Sequence, residues 1–466
     1  MTVTFLAQSR LLASLVLVVW GGTHALATLD GASPPKRPII RRTAPTDTNT
    51  FDYTSAGVRV IQRKTPGDDI VGVELVLPGG VLQLTPANAG IEDLVLRTLQ
   101  YGSARYPGPA SRRAFARTGS RWHADAGSDW SSVGFVGLSS RFDSTWVVFA
   151  DRITHPTLDS TSVALVRTRM IRELRLKDLS PEDLASSAAE SLGVAGHPYA
   201  NPPYGSLESI ASITPAQARE YASSQLVKSR MVLVVVGNVP RAHLDSLVSS
   251  TLGTLPAGQY VRAAPPPWPD HRVSIVSISR PTSTGYIVGW FAGPPFTDKD
   301  YPAFEVATGW LSARLERSIR ERNALSYAAY ATANSRLASS GELHISTNDP
   351  KTVAQMIDPI LDTLKMSIPD TTRNGTPRFV SWYLGDFSKG LRGGYMLRHE
   401  TNMEQAAALA EAQVAFGDYR EAANEVRRLN GVGLGDVLTA ARRYIQHIQF
   451  VYVGDTARFR ADWIRH

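Results

Sequence analysis

Two short apolar runs end alike. Val234-Val235-Val236-Gly237-Asn238 and Val451-Tyr452-Val453-Gly454-Asp455 each close a segment of about 200 residues in which strand-like and helix-like stretches alternate. A chain that repeats its own order of elements is expected to fold as two related units rather than around one continuous core. Between them, residues 255–272 (LPAGQYVRAAPPPWPDHR) are proline-rich and aperiodic, which marks a linker. The expected domains are therefore 51–254 and 273–466, each long enough to enclose its own apolar interior.

In the first half, Val58 to Ile61, Val71 to Leu77, Ser131 to Leu138 and Thr145 to Ala150 read as strands, and Met231 to Val236 as a buried one. Ile91, Leu94, Val95 and Leu99 share one helical face, predicting a helix over 87–101. Helices are also predicted over 161–176 and 181–192, the latter opened by Ser180 and Pro181, with another starting at Thr214-Pro215. The second half repeats the scheme. Strands are predicted at 273–279, 285–291, 326–332, 341–346 and 450–453, and helices at 301–322, 351–366 and several times between 376 and 446.

The N-terminus has a different character. Arg10 is the only charge before the apolar run Leu11 to Trp20, and Ala25-Leu26-Ala27 supplies a small-x-small site. This is the pattern of a secretory signal peptide (1–27), with cleavage expected after Ala27 and export of the mature chain. A retained anchor is the other reading, although the run falls short of the ~20 residues that cross a bilayer. Residues 28–50, rich in Pro and Thr, read as a flexible leader, and no membrane span is expected in the mature chain.

Composition narrows the chemistry. With no Cys, disulfides, thiolate-ligated zinc and iron–sulfur clusters are excluded. The net charge of +7 comes from 49 basic and 42 acidic residues that interleave throughout, which is not the footprint of a nucleic-acid binder. His123, His155, His197, His243, His271, His344, His399 and His447 are scattered, and no two of them lie three to five residues apart. Ligand spacing for a metal is missing.

Several stretches, in order and spacing, resemble the M16 family of pitrilysin/insulinase-type zinc peptidases, in the two-domain form of mitochondrial processing peptidase subunits and bacterial periplasmic relatives. They are GIEDLVLRTLQYGSARYP (90–107), RTRMIRELRLKDLSPEDLA (167–185), HPYANPPYGSLESIASIT (197–214), MVLVVVGNV (231–239) and LSARLERSIRERNALSYA (311–328). The resemblance implies an α+β fold: two homologous domains, each a mainly antiparallel sheet with helices packed on one face. It also implies a periplasmic setting. Active members carry His-x-x-Glu-His on the first helix and a further Glu about 75 residues on. Here the three motif positions hold Asp93, Leu96 and Arg97, and Glu173 stands 76 residues after Arg97 at the position of the last ligand. Arg97 cannot ligate a metal and Leu96 cannot accept a proton. No zinc is expected here, and an Asp93–Arg97–Glu173 ion cluster is expected in its place.

The second half matches the family's Arg/Tyr pair with Arg320 and Tyr327, in the stretch Arg320-Glu321-Arg322-Asn323-Ala324-Leu325-Ser326-Tyr327. Two departures accompany the match. Ala324 replaces the usual Gly, and Trp310-Leu311-Ser312 leads into the helix without a glycine-rich loop. By resemblance, the pair would bind a substrate carbonyl or developing oxyanion in trans, beside the zinc of a partner M16 subunit, in a heterodimer acting on extended peptides. Two other readings stay open. Arg320 and Tyr327 can be a helix cap and a strand-packing residue, and the chain can be a structural or assembly subunit like a respiratory-complex core protein.

Overall fold

The computed structural model describes residues 49–365, 390, 393, 394, 396 and 399–465. The signal peptide and nearly all of the leader read from the sequence lie outside the described residues, as does most of 376–398 at the start of the 376–446 stretch expected to hold several helices. Thr48–His466 forms one compact unit.

Eleven strands are described: β1 (Thr50–Ser55), β2 (Val58–Arg63), β3 (Ile70–Pro78), β4 (Arg121–Ala126), β5 (Trp130–Leu138), β6 (Val232–Val236), β7 (Ser274–Ser279), β8 (Gly285–Pro295), β9 (Ala329–Asn334), β10 (Ala338–Thr347) and β11 (Gln449–Gly454). The first sheet runs β1-β2-β6-β3-β5-β4 and the second β7-β11-β8-β10-β9. Leaving β1 aside, the two orders superimpose strand for strand. In each, the late strand lies parallel to the first (β6 on β2, β11 on β7) and every other pairing is antiparallel. The two look-alike runs of the sequence are β6 and β11, interior strands at equivalent places. That explains their unbroken apolarity: both of their faces are covered.

The helices of the first half are α1 (Ile91–Thr98), α2 (Pro109–Ala116), α3 (Phe142–Thr154), α4 (Ser160–Leu179), α5 (Pro181–Gly193), α6 (Leu207–Ser212), α7 (Pro215–Gln225) and α8 (Arg241–Ser250). Helices described with bounds in the second are α9 (Tyr301–Leu315), α10 (Pro350–Lys365), α11 (Asn402–Phe416), α12 (Glu425–Asn430) and α13 (Leu434–Tyr444). Each sheet has one face on its own helices. In the first, Val73, Leu75, Leu233 and Val235 share a core with Leu94, Phe149 and Leu244; in the second, Ile287, Phe291, Phe450 and Tyr452 pack on Phe304, Leu361 and Ala441.

The opposite faces are covered by exchange. Ala185 and Ala189 of α5 sit on Val288, Trp290, Val451 and Val453 of the second sheet. Reciprocally, Ala406, Leu409 and Ala410 of α11 sit on Ile61, Val76, Val234 and Val236 of the first. Both crossings use a glycine for close approach. A Cβ at Gly193 would lie 2.0 Å from Trp290, and one at Gly72 would lie 2.7 Å from the Met403 backbone nitrogen. The halves are thereby locked together through two apolar cores.

Some sequence readings shift. Thr145 to Ala150, read as a strand, lies within α3: Phe142, Trp146, Phe149 and Ile153 fall on one buried face at helical spacing, which the short alternation of this apolar stretch concealed. The helix over 87–101 is an α-helix only over Ile91–Thr98, with 3₁₀ turns on either side. The one over 301–322 ends at Leu315 and passes into a π-helical turn, Glu316–Glu321. Strands β1 and β4 were not legible; both lie at a sheet edge and mix polar with apolar residues.

Candidate functional site

Helix α1 begins at Gly90, whose φ of 83° places it in the left-handed region. A Cβ there would lie 2.6 Å from Ile210, so this turn needs glycine on both counts. Acidic residues follow at once, Glu92 and Asp93, where the helix N-terminus favours negative charge. Glu92 is buried against α7 and its neighbours. It accepts from both Arg230 Nη2 (2.9 Å) and the Tyr221 hydroxyl, while Arg230 Nε donates to the Pro78 carbonyl at 2.9 Å. This buried ion pair was not read from the sequence, because 138 residues separate its partners.

One residue on, Asp93 projects toward α4. The structure brings Asp93, Arg97 and Glu173 together. Arg97 Nε donates to Asp93 Oδ1 at 2.7 Å, and Arg97 Nη1 donates to Glu173 Oε2 at 2.7 Å. The two carboxylates differ in environment: the Asp93 side chain is 4% exposed and Glu173 53%. Burial is the main cause that raises the Asp93 carboxyl to about 6, opposed by Arg97 and assisted by Asp125. Its Oδ2 is buried without a hydrogen-bond partner. Leu96, at the general-base position, belongs to the apolar core and is 1% exposed.

These residues do not fit a zinc ion. The guanidinium lies between the only two carboxylates at the motif positions and engages both of them, so a cation already occupies the ligand set. Among the described residues no group of three or more His, Asp or Glu side chains is placed to hold a metal ion. The histidines serve other ends. His123 Nε2 pairs with Glu74 Oε2 at 2.6 Å, reaching across the sheet over Gly134, where a Cβ would collide with the imidazole. His197 packs against Trp268 of the linker, 4.2 Å between ring centroids with the planes tilted by 38°, and contacts the Pro266 carbonyl at 3.0 Å.

In the second half, Arg320 lies on the π-helical turn and Tyr327 on the approach to β9. The Arg320 guanidinium stands 5.8 Å from the Tyr327 ring centroid and donates to Glu316 at 3.1 Å. Tyr327 does not pack on a strand; it is 87% exposed and lines an open cavity of about 340 Å³ with Leu325, Thr347 and Asp349. π-Helical turns are rare and recur at functional sites.

Ala324, between them, has φ 51°, in the left-handed region where an L side chain costs roughly 1–2 kcal/mol. The family's glycine at this position thus has a conformational reason. Ala324→Gly is expected to raise stability by about 0.5–1 kcal/mol, the relief of strain less the added freedom of the unfolded chain; a lowered urea midpoint would contradict this.

Residues 212–370 match the family model described as the Peptidase M16 inactive domain. The uncharacterized zinc protease YmxG of Bacillus subtilis is 21% identical over 391 residues, covering 83% of this chain and 93% of YmxG. Among solved structures, the peptidase M16 inactive domain from Pseudomonas fluorescens aligns with a TM-score of 0.76 at 19% identity, over 88% of this chain and 98% of that one. The periplasmic protease PqqL of Escherichia coli aligns with a TM-score of 0.72 at 16% identity, over 95% of this chain but 49% of PqqL. With its duplicated α+β sheets, and with Asp93, Leu96 and Arg97 at the motif positions, the chain is similar to the M16 peptidases over most of its length and to that family's inactive domain over residues 212–370.

Proposed function

We propose that this chain is the non-catalytic subunit of a heteromeric M16-type peptidase, binding extended peptides and lending Arg320 and Tyr327 to the zinc site of a partner subunit. The carrying observation is the Arg320–Tyr327 pair: a cation and a nearly fully exposed phenol, 5.8 Å apart, beside an open cavity. A phenol this exposed contributes little to its own fold, whereas a fixed cation and a hydroxyl donor suit a carbonyl or an oxyanion. Strand β4, outermost in its sheet and packed beside α1, offers an edge for an extended peptide to join. The export signal read at the N-terminus and the likeness to a periplasmic protease support a periplasmic setting. No helix among the described residues is long and apolar enough to cross a membrane.

The test is co-expression with a zinc-bearing M16 relative from the same source, followed by peptide cleavage. Arg320→Ala and Tyr327→Phe are each expected to lower turnover about 10²-fold while the complex stays intact on size exclusion, the order of loss for one oxyanion-hole donor. Unchanged turnover in both variants would favour a structural or assembly subunit instead.

A further inference from the structure

The face of α4 turned away from the core carries a pattern that the ion cluster does not use. Leu165, Arg169, Arg172, Leu176 and Leu179 follow one another at intervals of four, three, four and three residues, which places them on a single stripe. All five are exposed, the leucines at 39, 60 and 77%. Val163, Val166 and Met170, on the opposite side, anchor the helix in the core. The three leucines therefore add little to the stability of this chain, yet covering each would contribute ~1.5–3 kcal/mol to an association.

The arginines select the occupant. Arg169 Nη1 donates to the Tyr101 hydroxyl, which holds its guanidinium in place. Arg112 of α2 approaches the same ring, 5.1 Å from its centroid, against 5.5 Å for Arg169. Among the described residues no carboxylate pairs with Arg112, Arg169 or Arg172, so the middle of the stripe is a concentration of uncompensated positive charge. The stripe is nearly symmetric about Arg172. A second copy docked antiparallel would match Leu165 with Leu179 but set Arg172 against Arg172, cation on cation. Self-association is thus opposed by charge, while an acidic centre flanked by apolar residues is complementary.

We propose that the Leu165–Leu179 stripe of α4 is a docking surface for an amphipathic helix of a partner protein, its apolar stripe interrupted centrally by two carboxylates that meet Arg169 and Arg172. The inference is independent of the Arg320–Tyr327 reading, since it is scored by binding and not by turnover.

The probe is a labelled synthetic helix of about three heptads, with Leu at the stripe positions of its outer heptads and Glu at those of the central one. Its twin carries Lys for Glu. Fluorescence anisotropy with the full chain is expected to show the Glu helix binding at least ~10-fold more tightly than the Lys twin. Leu176→Asp with Leu179→Asp should abolish binding without changing the melting temperature, because both side chains are exposed. Arg172→Glu should reverse the preference toward the Lys twin. Equal binding of the two helices, binding of neither, or binding unaffected by the leucine substitutions overturns the proposal. So does a concentration-dependent dimer in sedimentation, or binding to phosphatidylglycerol vesicles, if Leu176→Asp with Leu179→Asp eliminates it; those outcomes assign the stripe to a second copy or to a lipid surface.

Discussion

Replacing Arg97 with methionine is expected to destabilise the protein by about 3–5 kcal/mol at pH 8, the cost of stranding one partner of a buried ion pair. Methionine keeps the aliphatic volume, so the loss reports on charge. Asp93 is 3% exposed and already has one oxygen without a partner; among the described residues Arg97 is the only guanidinium bonded to it. The pH dependence follows from the same environment. Burial raises the folded Asp93 carboxyl from 3.8 to about 6, so its contribution to stability is greatest below pH 4 and is lost as pH rises through 6. Without Arg97, which opposes that rise, the folded carboxyl moves higher still and the loss extends further up in pH. Urea denaturation should therefore show the gap between wild type and Arg97→Met widening from pH 5 to pH 8. Asp93→Leu combined with Arg97→Met should recover most of the deficit, since an apolar pair of similar volume removes the stranded charge. Glu173→Gln should cost only about 0–1 kcal/mol, because that carboxylate is half exposed. A deficit below ~1 kcal/mol for Arg97→Met at pH 8 would mean that Asp93 does not depend on its guanidinium.

The ion cluster was accessible from sequence for a specific reason. Asp93 and Arg97 are one helical turn apart, and the family's ligand spacing ties Glu173 to the same helix face, so two local relations and one resemblance locate all three residues. The duplicated sheet was accessible because β6 and β11 are covered on both faces, so Val232–Val236 and Phe450–Val453 run without a charged or amide residue. What covers them was not. Alanines on α5 and α11 have no preference between the two halves, and the exchange depends on Gly72 and Gly193 meeting backbone and Trp290 more than 90 residues away. The Glu92–Arg230 pair was hidden in the same way: each residue alone resembles a surface charge, and only the tertiary fold buries them together. Tyr327 shows the reverse case, a position matched by resemblance whose exposure no local pattern could give.

The α5 crossing also carries a polar strip whose titration should be self-cancelling, and single substitutions should expose two opposite slopes. Glu342 and His344, two apart on β10, face α5 from the same side of the sheet as Trp290 and Val288. Ser186 donates to Glu342 at 3.1 Å, Arg336 bonds to Glu190 at 2.6 Å, and Glu182 stands 3.4 Å from His344 Nε2. Burial raises Glu342 from 4.5 to about 7; Glu190 adds to this, while Ser186, Arg336 and Lys177 oppose it. Burial lowers His344, stacked on Tyr330, from 6.5 to about 4. Folded Glu342 retains a proton that the unfolded chain has released, so its contribution to stability falls as pH rises from 4.5 to 7. Folded His344 refuses a proton that the unfolded chain accepts, so its contribution falls as pH drops from 6.5 to 4. Each effect has a ceiling of roughly 3 kcal/mol, at about 1.36 kcal/mol per pKa unit, with Glu342 below that because it is not fully shielded from water. Measured against wild type by urea midpoints between pH 4.5 and 7.5, Glu342→Gln should gain stability as pH rises and His344→Phe should lose it. The double variant should run level with wild type through the overlapping range. Slopes of the same sign in the two single variants would contradict the assignment of opposite protonation states to this strip, and with it the view that the contact between the halves stays neutral across mildly acidic pH.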